Sequence, residues 1–109
     1  MRNVARSAFQ KADPAKTRPT LRKQTKEDIK ANAIKDEKGD FIDPNSGKSV
    51  PKEGPFDYGH KMGNEWWKTR DRARAEKWTR KDVLEHENNP DNFQIEDPSS
   101  NRSHKYEAD

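Results

Sequence analysis

The chain has 109 residues, of which 39% are charged and 27% hydrophobic, and its formal net charge is +3. This length suits one small domain, and the low hydrophobic content leaves material for only a small core, close to the disordered class. The absence of Cys excludes disulfides and cysteine-ligated zinc, and no apolar run approaches the roughly 20 residues of a membrane span.

The positive charge is concentrated near the start of the chain. Residues 1–35 hold ten basic and three acidic residues, which gives +7, whereas the remainder holds thirteen basic and seventeen acidic residues, which gives −4. A basic segment ahead of an acidic body is typical of a chain that binds a polyanion or an acidic protein, and equally of a flexible, solvated leader. We predict a basic, partly helical linker or arm over residues 1–35 and one domain over residues 36–109.

The first predicted elements are a helix and a hairpin. Thr25 and Asp28 form a capping-box pattern, which predicts a helix over about residues 26–35. The turn-rich "DPNSGK" separates Phe41-Ile42 from Ser49-Val50, which predicts a β-hairpin. "PFDYGH" then predicts a short strand that ends at Gly59.

The second half alternates helices and strands. "NEWWKTRDRARAEK" predicts a helix capped by Asn64, and Thr79 with Asp82 begins another helix with a capping box. "NFQIED" predicts a strand at about 93–96, and "DPSS" begins a last helix with Asp97 as its N-cap. The predicted order is therefore strand, two helices, strand and helix.

The Gly59-His60 step is the candidate for chemistry. Glycine tolerates backbone geometry that other residues resist, so we expect His60 to be exposed at the end of its strand, where an imidazole can act as a general base. Asp57, three residues earlier, could contact a cation or orient His60. The alternative for this stretch is a surface turn without chemistry.

The last predicted helix offers further polar groups. Asn101, His104 and Glu107 are spaced i, i+3 and i+6, so they span an arc of about 120° and two of them can face one point. Oxygen ligands suit Mg²⁺ or Mn²⁺, and an imidazole also admits Zn²⁺ or Ni²⁺. Arg102 and Lys105 could hold phosphate. The alternative is a solvated helix face with surface ion pairs.

Two longer stretches resemble one nuclease family. "GPFDYGHKMGNEWWK" followed by "NNPDNFQIEDPSSNRSHKYE" is similar to the GH-E branch of the HNH/endonuclease VII superfamily, over roughly residues 40–107. The resemblance implies an α+β fold: a ββα-metal core, extra helices inserted between the two strands, and a flexible basic N-terminal arm.

The resemblance also assigns roles to residues. It places His60 at the general base, Asn101 at a helix-borne metal ligand and Glu107 at the family glutamate, with Glu65 as the alternative. Relatives have an acid or His where this chain has Gly59, and Asp57 would compensate as a metal ligand. The remaining site residues implied are His104 at the metal and Lys61, Arg102 and Lys105 at the nucleic acid.

The function implied is a metal-dependent endonuclease toxin that hydrolyses DNA in competitor bacteria. Its cofactor would be a divalent metal ion, with Mg²⁺ or Mn²⁺ favoured over Zn²⁺ or Ni²⁺. Its partners would be DNA and a cognate immunity protein, without a membrane or a small-molecule substrate. It would be a secreted or delivered effector acting in the target-cell cytoplasm. The alternatives are an RNA-cleaving toxin of the same fold and a non-catalytic nucleic-acid-binding module.

Overall fold

The structure, a computed structural model, describes residues 13–102 and is of the predicted α+β class. Its elements in chain order are α1 (Lys23–Asn32), β1 (Phe41–Ile42), β2 (Ser49–Val50), β3 (Asp57–His60), α2 (Trp66–Ala75), α3 (Arg80–Glu87), a 3₁₀ turn (Pro90–Asn92), β4 (Phe93–Glu96) and α4 (Pro98–Arg102). Among residues 13–102, every helix is too short and too polar to cross a membrane.

Strands β1 and β2 form the predicted hairpin. Phe41 pairs with Val50 and Ile42 with Ser49 in an antiparallel register. The turn closes through a hydrogen bond from the Asp43 amide to the Lys48 carbonyl, 2.9 Å long. Phe41 and Val50 are buried on the same side of the hairpin, so their apolar side chains anchor it to the core.

Strands β3 and β4 form a second antiparallel pair, with Asp57 opposite Glu96 and His60 opposite Phe93. Because side chains alternate along a strand, one face of the pair carries His60 and Phe93, and the other carries Asp57 and Glu96. Helices α2 and α3 lie in the connection between these strands, and α4 follows β4 and packs against β3. The predicted order of strand, helical insert, strand and helix is confirmed.

The main core joins α1, the hairpin and β4. Its buried members are Ile29, Phe41, Val50, Phe93 and Ile95. Two further rings extend it, since Phe56 lies edge-on to both Phe41 and Tyr58, with centroid separations of 5.3 and 5.5 Å. Such edge-to-face pairs stabilise a small core beyond the area that they bury.

A smaller apolar cluster lies between α2, α3 and the segment before α1. Ala15, Ala73 and Val83 are fully buried there, and Trp66 and Trp78 pack against them. The indole rings thus cover small side chains that could not exclude water by themselves.

The described part of the predicted arm belongs to the packed body. Ala15 lies in the smaller cluster and Ile29 in the main core. Between them, the Arg22 amide donates to the side chain of Asn88 over 2.7 Å. Ala15 and Ile29, two of the few apolar side chains in residues 13–35, are therefore buried against the rest of the described chain. Residues 1–12 lie outside the described residues.

The predicted helix starts are wrong for α1 and α2 and confirmed for α3. Helix α1 begins at Lys23, not near residue 26, because Thr25 does not cap it. The buried hydroxyl of Thr25 instead lies 3.0–3.1 Å from the oxygens of Asn88. The N-cap of α2 is Glu65, without a side-chain cap bond, and not Asn64. The capping box of Thr79 and Asp82 is present as predicted.

Candidate active site

His60 ends β3, and its side chain is only 10% exposed. Its Nε2 lies 2.7 Å from Oε2 of Glu87, and its ring packs on Phe93 with centroids 4.4 Å apart. The expectation of an exposed imidazole is wrong, because α3 and β4 cover most of the ring. The contacts hold the imidazole in one orientation, which an exposed side chain would not have.

Glu87 is the functional candidate that the sequence did not reveal. It is the last residue of α3, and its side chain is 1% exposed. Its Oε2 also lies 3.4 Å from Nε of Arg18, in the segment before α1. The sequence offered one signal of its burial: Glu87 lies four residues after the apolar Val83, and residues at i and i+4 share a helix face. Val83 is indeed buried.

Gly59 serves packing rather than backbone freedom. It lies within β3 and is not one of the four glycines with positive φ. A Cβ built on it would lie 2.3 Å from the carboxyl group of Glu96, whose side chain crosses the glycine from β4. The predicted reason for this glycine is therefore wrong, and the actual reason is the buried carboxylate beside it.

Asp57 lies on the opposite face of β3 from His60. Its Oδ2 accepts a hydrogen bond of 2.9 Å from Asn101, and its Oδ1 accepts one of 3.2 Å from Arg102. Of the predicted site residues, the structure brings these three together. The orienting contact to His60 comes from Glu87 rather than from Asp57, because strand alternation turns residues 57 and 60 to opposite sides.

Helix α4 is held in place by a buried carboxylate of the hairpin turn. Oδ2 of Asp43 accepts a hydrogen bond of 2.8 Å from the Asp97 amide, and Oδ1 accepts bonds from the amides of Asn45 and Ser46. Asp43 has 0% exposure. Asp97 begins α4 as predicted, since its carbonyl accepts from the Asn101 amide. Asp43 therefore fixes the helix start that brings Asn101 to Asp57.

The donor atoms at Asp57 fit a hard cation. A carboxylate and an amide oxygen are ligands that Mg²⁺ and Mn²⁺ accept, and Mg²⁺ often binds through one or two carboxylates. The Asn101 amide now donates its nitrogen to Asp57, and rotation of the amide by 180° would present its oxygen there instead. Within residues 13–102, no group of three or more His, Cys, Asp and Glu has metal-binding geometry. His104, Lys105 and Glu107 lie outside the described residues.

The turn after His60 is ordered by Glu65. This carboxylate is buried at 3% exposure and accepts hydrogen bonds of 3.1 and 3.3 Å from the Gly63 amide. Lys61 is exposed in the same turn, and its amide donates to the Asn92 carbonyl over 2.8 Å. Lys61 therefore presents a positive charge directly after His60.

One protein-family model matches the chain. The family model GH-E, described as an HNH/ENDO VII superfamily nuclease with conserved GHE residues, matches residues 38–107. A search of solved structures found no match. The match covers Gly59 and His60 and includes Glu87 and Glu96, the two buried glutamates beside them. Its class implies endonuclease chemistry on a nucleic acid. Because the match covers more than half of the chain, the protein belongs to the GH-E family of HNH/ENDO VII superfamily nucleases.

Proposed function

We propose that this domain is a metal-dependent endonuclease that hydrolyses DNA, with His60 as the general base. The observation that carries the proposal is the contact between His60 and the buried carboxylate of Glu87, 2.7 Å long, at the end of a strand in a nuclease-family domain. An imidazole held in one orientation by a carboxylate can act as a general base.

The reaction needs one proton acceptor and positive charge around a phosphate. His60 accepts a proton from water while the water oxygen bonds to phosphorus, and the phosphorus–oxygen ester bond breaks. The departing oxygen then takes a proton from solvent. Lys61 follows the base, and Arg102 is 72% exposed beside Asp57, so both cations can bind backbone phosphates.

The oxygen donors of Asp57 and Asn101 would hold a divalent cation. The bound ion would stabilise negative charge on a phosphate at this face of β3, which is opposite the face that carries His60. His104 and Glu107 complete the proposed donor set, with Glu107 as the family glutamate and Glu65 as the alternative. This set favours Mg²⁺ or Mn²⁺, and participation of His104 would admit Zn²⁺ or Ni²⁺.

The biological role proposed is that of a toxin domain delivered into competitor bacteria, where it acts in the cytoplasm. The producing cell would carry a cognate immunity protein that blocks it. The sequence resemblance to toxin nucleases supports this role, and the formal net charge of +3 suits a polyanionic substrate. The supporting test is growth of bacteria that express the domain, with wild type expected to arrest growth and His60→Ala expected to permit it.

The biochemical test is plasmid cleavage by purified protein in Mg²⁺, Mn²⁺, Zn²⁺, Ni²⁺ or EDTA. We expect cleavage that needs metal, that falls by at least about 100-fold in His60→Ala, as for loss of a general base, and that persists in His86→Gln. His86 is a suitable control because it packs on Trp78, with ring centroids 5.1 Å apart, rather than at the proposed site. Equal cleavage by His60→Ala and wild type would exclude His60 as the base.

Two other results would select the alternative functions. Cleavage confined to RNA would indicate an RNA-cleaving toxin of the same fold. Binding that weakens steeply with salt, without cleavage and without any effect of His60→Ala, would indicate a non-catalytic nucleic-acid-binding module.

A further inference from the structure

The contact at His60 determines which of its nitrogens is available. Nε2 lies 2.7 Å from Oε2 of Glu87. An ionised carboxylate can only accept hydrogen bonds, so with Glu87 ionised Nε2 is the donor and carries the ring proton. In a neutral imidazole, the remaining lone pair is then on Nδ1.

The charge on Glu87 is buried, and burial of an isolated carboxylate is costly. Two groups compensate for it in the structure: the imidazole N–H of His60 and the guanidinium of Arg18, whose Nε lies 3.4 Å from the same oxygen. Arg18 is half-exposed, with 49% of its side chain accessible, while Glu87 has 1%. The cation therefore covers the buried dyad from the solvent side.

Arg18 is held there by the packing of its own segment. Arg80 donates two hydrogen bonds, of 2.9 and 2.7 Å, to the carbonyls of Pro14 and Thr17. Ala15 is buried against α2 and α3, as described above. These contacts fix the backbone immediately before Arg18 on the helix pair that ends at Glu87. The family match begins only at residue 38, so this segment lies outside it.

We propose that Glu87 and Arg18 are positioning residues, which hold His60 in the Nε2–H form and leave the lone pair of Nδ1 to accept the proton of the attacking water. The functional unit therefore includes the segment from residue 13, outside the matched region. This inference rests on the proposed role of His60 as a base, but its first test does not require activity.

The first test is ¹⁵N NMR of histidine-labelled protein without substrate, with His60 assigned by His60→Gln. We expect the Nε2–H form and a slowly exchanging, downfield Nε2 proton in wild type. Glu87→Ala should abolish this proton, and Arg18→Ala should make it exchange faster. A His60 in the Nδ1–H form, or an unchanged Nε2 proton in Glu87→Ala, would overturn the proposal whether or not the protein cleaves nucleic acid.

The second test is kinetic, with a matched control on the same segment. Arg22 forms an ion pair of 2.9 Å with Glu85, on the same helix as Glu87, and is 51% exposed, which closely matches Arg18. We expect Arg18→Ala to lower kcat about 10-fold and Glu87→Ala about 100-fold, the range typical of outer-shell partners, with KM unchanged. Arg18→Lys should restore part of the loss, and Arg22→Ala should match wild type.

The outcomes separate this inference from the proposed function. Loss of activity in His60→Ala with wild-type kcat in Glu87→Ala would reject the positioning pair and keep His60 as base. Equal losses in Arg18→Ala and Arg22→Ala would show a general effect of the segment on folding and would also reject it. Absence of all nuclease activity would reject the proposed function, and the NMR result would then decide the orientation of His60 by itself.

Discussion

The carboxylate of Glu96 lies directly over Gly59, across the β3–β4 pair. A Cβ on Gly59 would be 2.3 Å from the carboxyl carbon and one oxygen, closer than two such atoms can approach. Glu96 is 4% exposed, so its side chain cannot move into solvent without unpacking this face. The residue next to the proposed base is therefore kept small by a buried acid on the partner strand.

Gly59→Ala should destabilise the fold by about 1–3 kcal/mol, the usual cost of overpacking. Truncation of the clashing group should relieve the cost, so Gly59→Ala should be milder in a Glu96→Ala background. Chemical denaturation of the four proteins of this double-mutant cycle measures the coupling. Additive effects would show that the glycine is needed for another reason.

Asp43→Ala should loosen the start of α4, because it removes the acceptor of three backbone amides, including that of Asp97. We expect a loss of about 1–3 kcal/mol in unfolding free energy, as for buried donors left unpaired. Hydrogen exchange at the Asn101 amide should also become faster.

Asp36→Ala is the matched control for Asp43→Ala, because Asp36 accepts from backbone amides in another turn, just before β1. Its Oδ1 accepts from the amides of Lys38 and Asp40, which are local contacts within one turn. A loss as large as that of Asp43→Ala, together with unchanged exchange at Asn101, would contradict the proposed link between hairpin and helix.

Ile29→Ala tests whether α1 belongs to the core. Ile29 is 2% exposed and packs in the main cluster, whereas Ile34, just beyond the helix, is 60% exposed. We expect Ile29→Ala to cost about 2–5 kcal/mol, typical of a buried isoleucine, and Ile34→Ala to cost little. Similar Tm values for Ile29→Ala and wild type would show that α1 contributes little to the core, as expected for a linker.

His86 should make stability depend on pH. Burial, and next the nearby Arg72 guanidinium, lower the pKa of His86 below its ordinary value of 6.5, against a smaller opposing effect of Glu87. In the unfolded chain His86 binds a proton at higher pH than in the folded protein, so its contribution to stability is lost as pH falls from about 6.5 through the folded pKa.

Thermal unfolding from pH 7.5 to 5 measures this effect. The Tm of wild type should fall more steeply over this range than the Tm of His86→Gln, which cannot titrate there. Parallel curves would show that another group dominates the acid response. His86→Gln should not alter the contact between His60 and Glu87, because the His86 ring faces Trp78.

Much of the local structure was predictable because its causes are local. The hairpin turn, the capping box of Thr79 and the helix start at Asp97-Pro98 depend on residues within a few positions of one another. One error arose where a distant group intervened. Thr25 has the spacing of a cap, but its hydroxyl contacts Asn88, 63 residues away, and the helix begins earlier.

The family and the order of strands and helices could be predicted because short motifs such as Gly59-His60 and the turn signals act within a few residues. The surroundings of His60 could not be predicted in this way, because they depend on long-range packing. Packing of α3 brings Glu87 to His60 from 27 residues along the chain, and packing of the segment before α1 brings Arg18 to Glu87. Such contacts depend on which faces become buried together. The spacing of apolar residues predicts which face of an element is buried, but not which other element packs against it.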